Sequence, residues 1–242
     1  CYVLPEHFER VKSKMDGTHP WVLKRDASDI HLHTGAGVKF ISTPDQLPSA
    51  SVQERSQNLV QPWNEPFLGK GPWRRKSELR IMVALTSVYP LRAYVYGEPY
   101  VIVAAKRYTN SQEAMADKCM TDTHSSTKKC KLHDENQTFI DIVNETTNSL
   151  CFRCLDYRLY AEQLGMTREQ SSQLLHDTFA LIAKVLKAGH KTLEDHVINT
   201  GIHNSGASCF SQMRVDVGIT EDWKPFLFEF PELHNMKDGF GA

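Results

Sequence analysis

The 242-residue chain has no apolar run long enough to cross a bilayer. Its longest, IMVAL at 81–85 and VIVAA at 101–105, have strand length, against the ~20 residues that a spanning helix needs. It has no excess of charge of either sign. Lysine and arginine total 28 against 29 acidic residues, so a formal charge of −1 supplies no field that would hold nucleic acid or an anionic membrane by bulk electrostatics. Any polyanion site is local. Cysteine is sparse: Cys1, Cys119, Cys130, Cys151, Cys154 and Cys209 form an even set, but a chain this long does not require a disulfide scaffold. The first residues, CYVLPEHFERVK, lack a basic-then-apolar leader pattern, which a processed chain would have shed, so the compartment stays open. No internal repeat and no heptad pattern is present. What remains is globular composition, 40% hydrophobic and 24% charged, in a length suited to one large domain or two small ones.

Periodicity divides the chain into strands and a few helices. After an extended YVL, Pro5 opens a short amphipathic helix with Phe8, Val11 and Met15 at helical spacing, ending at Gly17. WVLK at 21–24 and VKFI at 38–41 read as the two strands of a hairpin, with glycines before the second. NLVQPW at 58–63 returns to strand character. From Glu78, two or three β-rich runs with turns at Tyr89-Pro90 and Gly97-Glu98-Pro99 form the antiparallel centre of a sheet. Residues 109–150 are polar without sustained periodicity and read as a long loop. Thr167 to Gln170 forms a capping box, and Leu174, Leu175, Phe179, Ile182, Val185 and Leu186 line one face of a helix that the pattern stops at Gly189. The end, CFSQMRVDVGITEDWKPFLFEF, reads as strand, acidic turn, strand. Strand-rich segments with segregated helices predict an α+β fold of antiparallel sheets with flanking helices.

The chemistry-bearing residues fall at strand ends. Lys24 closes WVLK, Lys76 and Arg80 bracket KSELR, and Asp216 and Glu229 sit on the two terminal strands, placed to face each other across a hairpin. Basic groups that neutralise a triphosphate, with two carboxylates to hold Mg²⁺ against it, are what ATP chemistry needs; solvated charge on strand ends is the bland alternative.

In order and wording these segments resemble the tubulin tyrosine ligase-like family of ATP-grasp ligases. WVLKRD followed by TGAGVKFI looks like the family's first nucleotide-binding hairpin, NLVQPWNEPFL like its adenine hinge strand, KSELRIMVALTSVYPLRAYVY like its next block, and MRVDVGITEDWKPFLFEF like its paired metal-binding strands. The resemblance covers residues 2–108 and 170–233. It implies an ATP-grasp fold with a first nucleotide-binding subdomain over 1–60 and a second over 61–242 that carries a polar insertion near 109–150, the family's N-terminal domain being absent from this chain. It implies that Lys24 contacts the α and β phosphates, that the turn around Gly35 and Gly37 covers them, and that Gln61 and Trp63 line the adenine slot. Lys76 would flank the nucleotide, Glu78 would stand where the family has aspartate, Arg80 would neutralise phosphate, and Asp216 and Glu229 would bind Mg²⁺. Lys76 and Arg80 would then serve the transfer itself. The activity implied is ATP- and Mg²⁺-dependent joining of an amino acid to a protein carboxylate through an acyl phosphate. The partners implied are ATP, an amino acid, and tubulin or another protein with an acidic tail, in a cytoplasmic or microtubule-associated place.

The departures point to an alternative, a catalytically degenerate relative acting as a binding or structural module, in a secretory setting. Pro231 follows Glu229-Phe230 where the family has an asparagine. Ile102 falls where it has an arginine, with Lys106 or Arg107 as substitutes, and Cys119 and Asp122 replace a histidine and an asparagine. The sequons at Asn136 and Asn144 fit that setting. CFRC at 151–154 has the spacing of a disulfide, of half a zinc site, or of plain buried thiols. His31 and His33 could start a metal site or be solvent histidines. The basic run at 128–131 reads as a solvated loop.

Overall fold

The computed structural model describes residues 1–25, 38–49, 58–65, 67–69, 73–109, 117–121, 123, 130, 137–146, 154–199 and 211–230. Gly35, Gly37, the two loop histidines, Asp122, Asn136, Cys151 and Pro231 lie outside them. The elements are β1 (Tyr2–Leu4), α1 (Phe8–Lys12), β2 (Trp21–Arg25), β3 (Val38–Ile41), β4 (Asn58–Pro62), β5 (Ser77–Ser87), β6 (Arg92–Val95), β7 (Tyr100–Val103), α2 (Lys118–Thr121), α3 (Gln137–Thr146), β8 (Cys154–Asp156), α4 (Tyr157–Gln163), α5 (Arg168–Asn199), β9 (Ser211–Ile219) and β10 (Pro225–Glu229).

Two antiparallel sheets result, and the fold is α+β as the pattern predicts. The first has the order β1-β4-β2-β3, with the expected hairpin pairing Lys24 to Val38 and Trp21 to Ile41. Its inner face carries Trp21, Leu23, Ile41 and Val60, which bury against Leu4, Val11, Met15 and Leu47. The second sheet has the order β10-β9-β5-β7-β8, with β6 also pairing β5. Its core is built by alternation: Leu79, Ile81, Val83 and Leu85 of β5 and Met213, Val215, Val217 and Ile219 of β9 point one way. Against them pack Phe139 and Val143 of α3, Tyr157 and Tyr160 of α4, and Leu174, Ile182 and Leu186 of α5.

Two expectations change. Residues 109–150 are not one long loop, because α2 and α3 lie within them. Phe139 and Val143, four apart, bury one stripe of α3, a spacing hidden by the polar residues around them. Nor does Gly189 stop the long helix, which runs on to Asn199. A single glycine costs about 1 kcal/mol relative to alanine in a helix. Beyond it, His190 bonds the carbonyl of Val88 at 2.7 Å and Lys191 pairs with Asp195 at 2.7 Å, which fastens the continuation. The N-terminus is as read: Thr167 N–H donates to Gln170 Oε1 at 2.9 Å and Gln170 N–H to Thr167 Oγ1 at 3.2 Å.

Candidate active site

Alternation that sends Leu79 and Ile81 into the core sends Glu78, Arg80 and Met82 to the opposite face of β5, and likewise Arg214, Asp216 and Gly218 of β9. Register then aligns them. Arg80 lies directly across from Asp216 and Met82 across from Arg214. On the far side of β9, Glu229 of β10 lies across from Asp216, so one row crosses three strands: Arg80, Asp216, Glu229.

A bulge makes the last member possible. Leu227 pairs with Val217 and Glu229 with Asp216, so Phe228 is the extra residue. In a regular ladder Glu229 would share the core-facing side of Leu227; the bulge turns it to the side of Asp216. The Phe226 and Phe228 rings pack edge to face, 4.8 Å apart, over Gly218. A Cβ at Gly218 would come within 2.7 Å of both rings, so only glycine lets them lie there.

The bulge also presents the Phe228 carbonyl, which accepts from Lys24 Nζ at 2.8 Å and so ties the first sheet to the second. Burial lowers the pKa of Lys24, and Lys76 lowers it further, against the opposing pull of Glu229 and Glu78. Lys76 comes to the same place from the second sheet. Its Nζ lies 4.6 Å from the Phe228 ring and 5.8 Å from that of Trp63, pairs with Glu78 at 2.7 Å, and donates to the Thr121 carbonyl at 2.9 Å. The other oxygen of Glu78, Oε2, is buried and has no hydrogen-bond partner. Gln61 and Lys24 share the face of the first sheet that looks away from its core, where Val38 and Leu59, 45% and 40% exposed, flank Lys24.

The row itself is closed by charge. Arg80 donates to both Asp216 oxygens, Nε at 2.8 Å and Nη2 at 2.9 Å, with the Asp216 side chain 0% exposed. Arg214 then spans the two carboxylates, with Nε 3.5 Å from Asp216 Oδ2 and Nη2 3.3 Å from Glu229 Oε1. In this arrangement the two carboxylates do not fit a Mg²⁺ ion, because two guanidinium groups already occupy and balance them.

The structure thus brings together Lys24, Lys76, Glu78, Arg80, Asp216 and Glu229 of the predicted set, with Trp63 beside Lys76. Three further residues escaped the sequence reading. Arg214 was legible in principle, since a residue two before Asp216 in a strand shares its face. The Phe228 bulge and the Thr121 carbonyl left no signal. Ile102 is buried opposite Glu78, and Lys106 pairs with Asp117 at 2.8 Å. Cys119 forms a disulfide with Cys130, and Cys154 is also disulfide-bonded, which removes the thiolate that a zinc reading of CFRC requires.

Two antiparallel sheets meeting over converging lysines and an acid–arginine row define an α+β fold of the ATP-grasp kind. The chain belongs to the tubulin-tyrosine ligase family, whose sequence pattern matches residues 1–236. It is similar to tubulin polyglutamylase ttll6 of Danio rerio, 27% identical over 225 residues that cover 86% of this chain and 27% of that protein. Tubulin polyglutamylase ttll-4 of Caenorhabditis elegans is 21% identical over 239 residues, 97% of this chain and 36% of its own. Tubulin monoglutamylase TTLL4 of Mus musculus is 30% identical over 131 residues, 53% of this chain and 10% of its own. The chain therefore spans roughly a third or less of the length of these relatives.

Proposed function

We propose that this chain binds ATP between its two sheets and joins an amino acid to a protein carboxylate by way of an acyl phosphate. The names of its relatives favour glutamate as the amino acid and tubulin, or another protein with an acidic tail, as the acceptor. The observation that carries the reading is the convergence of Lys24 and Lys76, from different sheets, on the bulged Phe228. Lys24 Nζ donates at 2.8 Å to a neutral carbonyl, which a phosphate oxygen outdoes as acceptor for an ammonium, and Lys76, already positioned by Glu78, stands 4.6 Å from the ring of the same residue. Lys24 would hold the α and β phosphates, and Gln61, Trp63, Val38 and Leu59 would offer the flat apolar setting that an adenine needs. Lys76, fixed by Glu78 and Thr121, would flank the nucleotide, and Arg80 would reach the transferred group. The acceptor carboxylate oxygen bonds to the γ phosphorus as the bond to ADP breaks. The amine then attacks the acyl carbon, loses a proton and expels phosphate. Positioning and charge stabilisation are the protein's part in both steps.

The subdomain division at residue 60 belongs to the same proposal. So does a microtubule-associated place; among the described residues, no helix is long and apolar enough to cross a membrane. A second reading, a binding module without catalysis, draws on one observation: Arg214 sits against both carboxylates that the family resemblance gives to metal. ATP at ~100 times its dissociation constant should add about 2.7 kcal/mol of stability, read as a rise in melting temperature that Lys24→Ala reduces. ADP release on adding glutamate and an acidic-tail peptide separates the two readings. Release dependent on both co-substrates supports the ligase, and ATP binding without release supports the module.

A further inference from the structure

We propose that Arg214 is a built-in counter-cation that replaces a divalent ion, so that the site binds nucleotide phosphate without metal. The inference rests on the ATP reading and deepens it. Arg80 and Arg214 bring two positive charges to the two negative charges of Asp216 and Glu229, and the geometry is specific. Arg80 takes Asp216 in a two-point grip at 2.8 and 2.9 Å, while Arg214 reaches past it to Glu229 at 3.3 Å.

A cation between carboxylates on neighbouring strands is what a metal would be, and here a side chain supplies it. A divalent ion entering the row would have to strip Asp216, 0% exposed, from one guanidinium and Glu229 from the other. It would leave two arginines beside it with their carboxylates taken. Arg214 keeps its Nε buried 3.5 Å from Asp216 Oδ2, outside hydrogen-bond geometry, so charge alone holds that side of its guanidinium. An arginine fork suits phosphate as it suits carboxylate, because its planar donors match two oxygens at once. With Lys24, Lys76, Arg80 and Arg214 on one side and Glu78, Asp216 and Glu229 on the other, the site carries a formal surplus of one positive charge before nucleotide enters.

The test is calorimetric titration of ATP into the full chain, once in EDTA and once with Mg²⁺, for wild type, Arg214→Gln and Arg214→Lys. The expected result is that wild type binds about equally in both. Arg214→Gln should lose about tenfold or more in EDTA, the scale of one charge-assisted hydrogen bond, and recover with Mg²⁺. Arg214→Lys should keep part of the EDTA binding. Paramagnetic Mn²⁺ alone gives a second readout: wild type should bind none at the row, while Arg214→Gln should gain a site that Glu229→Gln removes. Wild-type binding only with Mg²⁺ would overturn the inference and leave the ATP reading standing, as would Mn²⁺ bound by wild type and released by Glu229→Gln. Binding in neither buffer would remove the ATP reading and this inference with it. If Arg214→Gln fails to fold, the wild-type EDTA comparison and the wild-type Mn²⁺ measurement decide alone.

Discussion

Glu229 stands directly across from Asp216 because β10 carries one residue more than β9 opposite it, Phe228. The same extra residue supplies the carbonyl that Lys24 reaches and the ring that Lys76 approaches. One irregularity in an edge strand therefore sets the position of a carboxylate and of two ammonium groups.

Gly218 is the seat of that irregularity, since both phenylalanine rings rest on it. Gly218→Ala should cost about 1–3 kcal/mol, the range for overpacking, because the nearest atoms are rigid rings. Urea unfolding should show the midpoint falling, and Phe226→Ala in the same chain should return part of the loss. An unchanged midpoint would mean that the rings move aside freely.

Removing Arg80 takes the two-point grip from buried Asp216 and leaves Arg214 beside it at 3.5 Å. Breaking one side of a buried pair costs about 3–5 kcal/mol, and the remaining arginine should hold Arg80→Ala near the lower end. Arg80→Ala with Asp216→Ala should cost less than the two single changes added, since the double variant buries no unpaired charge. Additivity would show that the pair is not coupled.

The blocks that were legible are those in which period and register coincide. Lys24, Glu78, Arg80 and Asp216 lie on regular strands and Lys76 directly precedes one, where alternation fixes the face once the core residues are known. Distance along a hairpin places Glu229 across from Asp216, and the register agrees, but through a bulge that no residue in PFLFE announces. Arg214 lies two residues before Asp216 on β9 and shares its face by the same alternation, but its reach across to Glu229 depends on the bulge. The continuation of α5 past Gly189 was unreadable for a different reason: a glycine lowers helix stability without forbidding it, and the tie of His190 to Val88 is a long-range contact. Cys119 and Cys130 pair through α2, which a polar segment did not advertise.

That disulfide has its own consequence. It joins residues 11 apart and fixes Cys119 in α2, whose Thr121 carbonyl holds Lys76. Closing so short a loop is worth about 3 kcal/mol in the chain-entropy account. Cys119→Ser with Cys130→Ser, or reductant, should lower the melting temperature and weaken whatever Lys76 binds. Alkylation with mass spectrometry reads the thiols of native protein directly: both should be blocked where the chain matures in oxidising surroundings, in which disulfides persist, and both free in the reducing surroundings of the microtubule-associated place proposed above.

The last prediction concerns Lys24 and pH. Burial lowers its pKa from 10.5, so in the alkaline range the folded state binds fewer protons at this group than the unfolded state does. The contribution of Lys24 to stability should therefore rise with pH across the window between the folded value and 10.5, because the cost of burying the ammonium is present below that window and gone above it. Lys24→Met should remove this slope. Nucleotide acts in the opposite sense: a triphosphate beside Lys24 favours the charged form and raises its pKa in the complex. ATP binding should then take up a proton within the window, and affinity should fall as pH rises through the free-state pKa. Titration in two buffers of different ionisation enthalpy measures the uptake directly. Lys24→Arg keeps its charge throughout, so its affinity should be flatter with pH even where it is weaker overall. A wild-type affinity independent of pH, with no proton uptake, would place Lys24 outside the phosphate site and leave it as a tie between the two sheets.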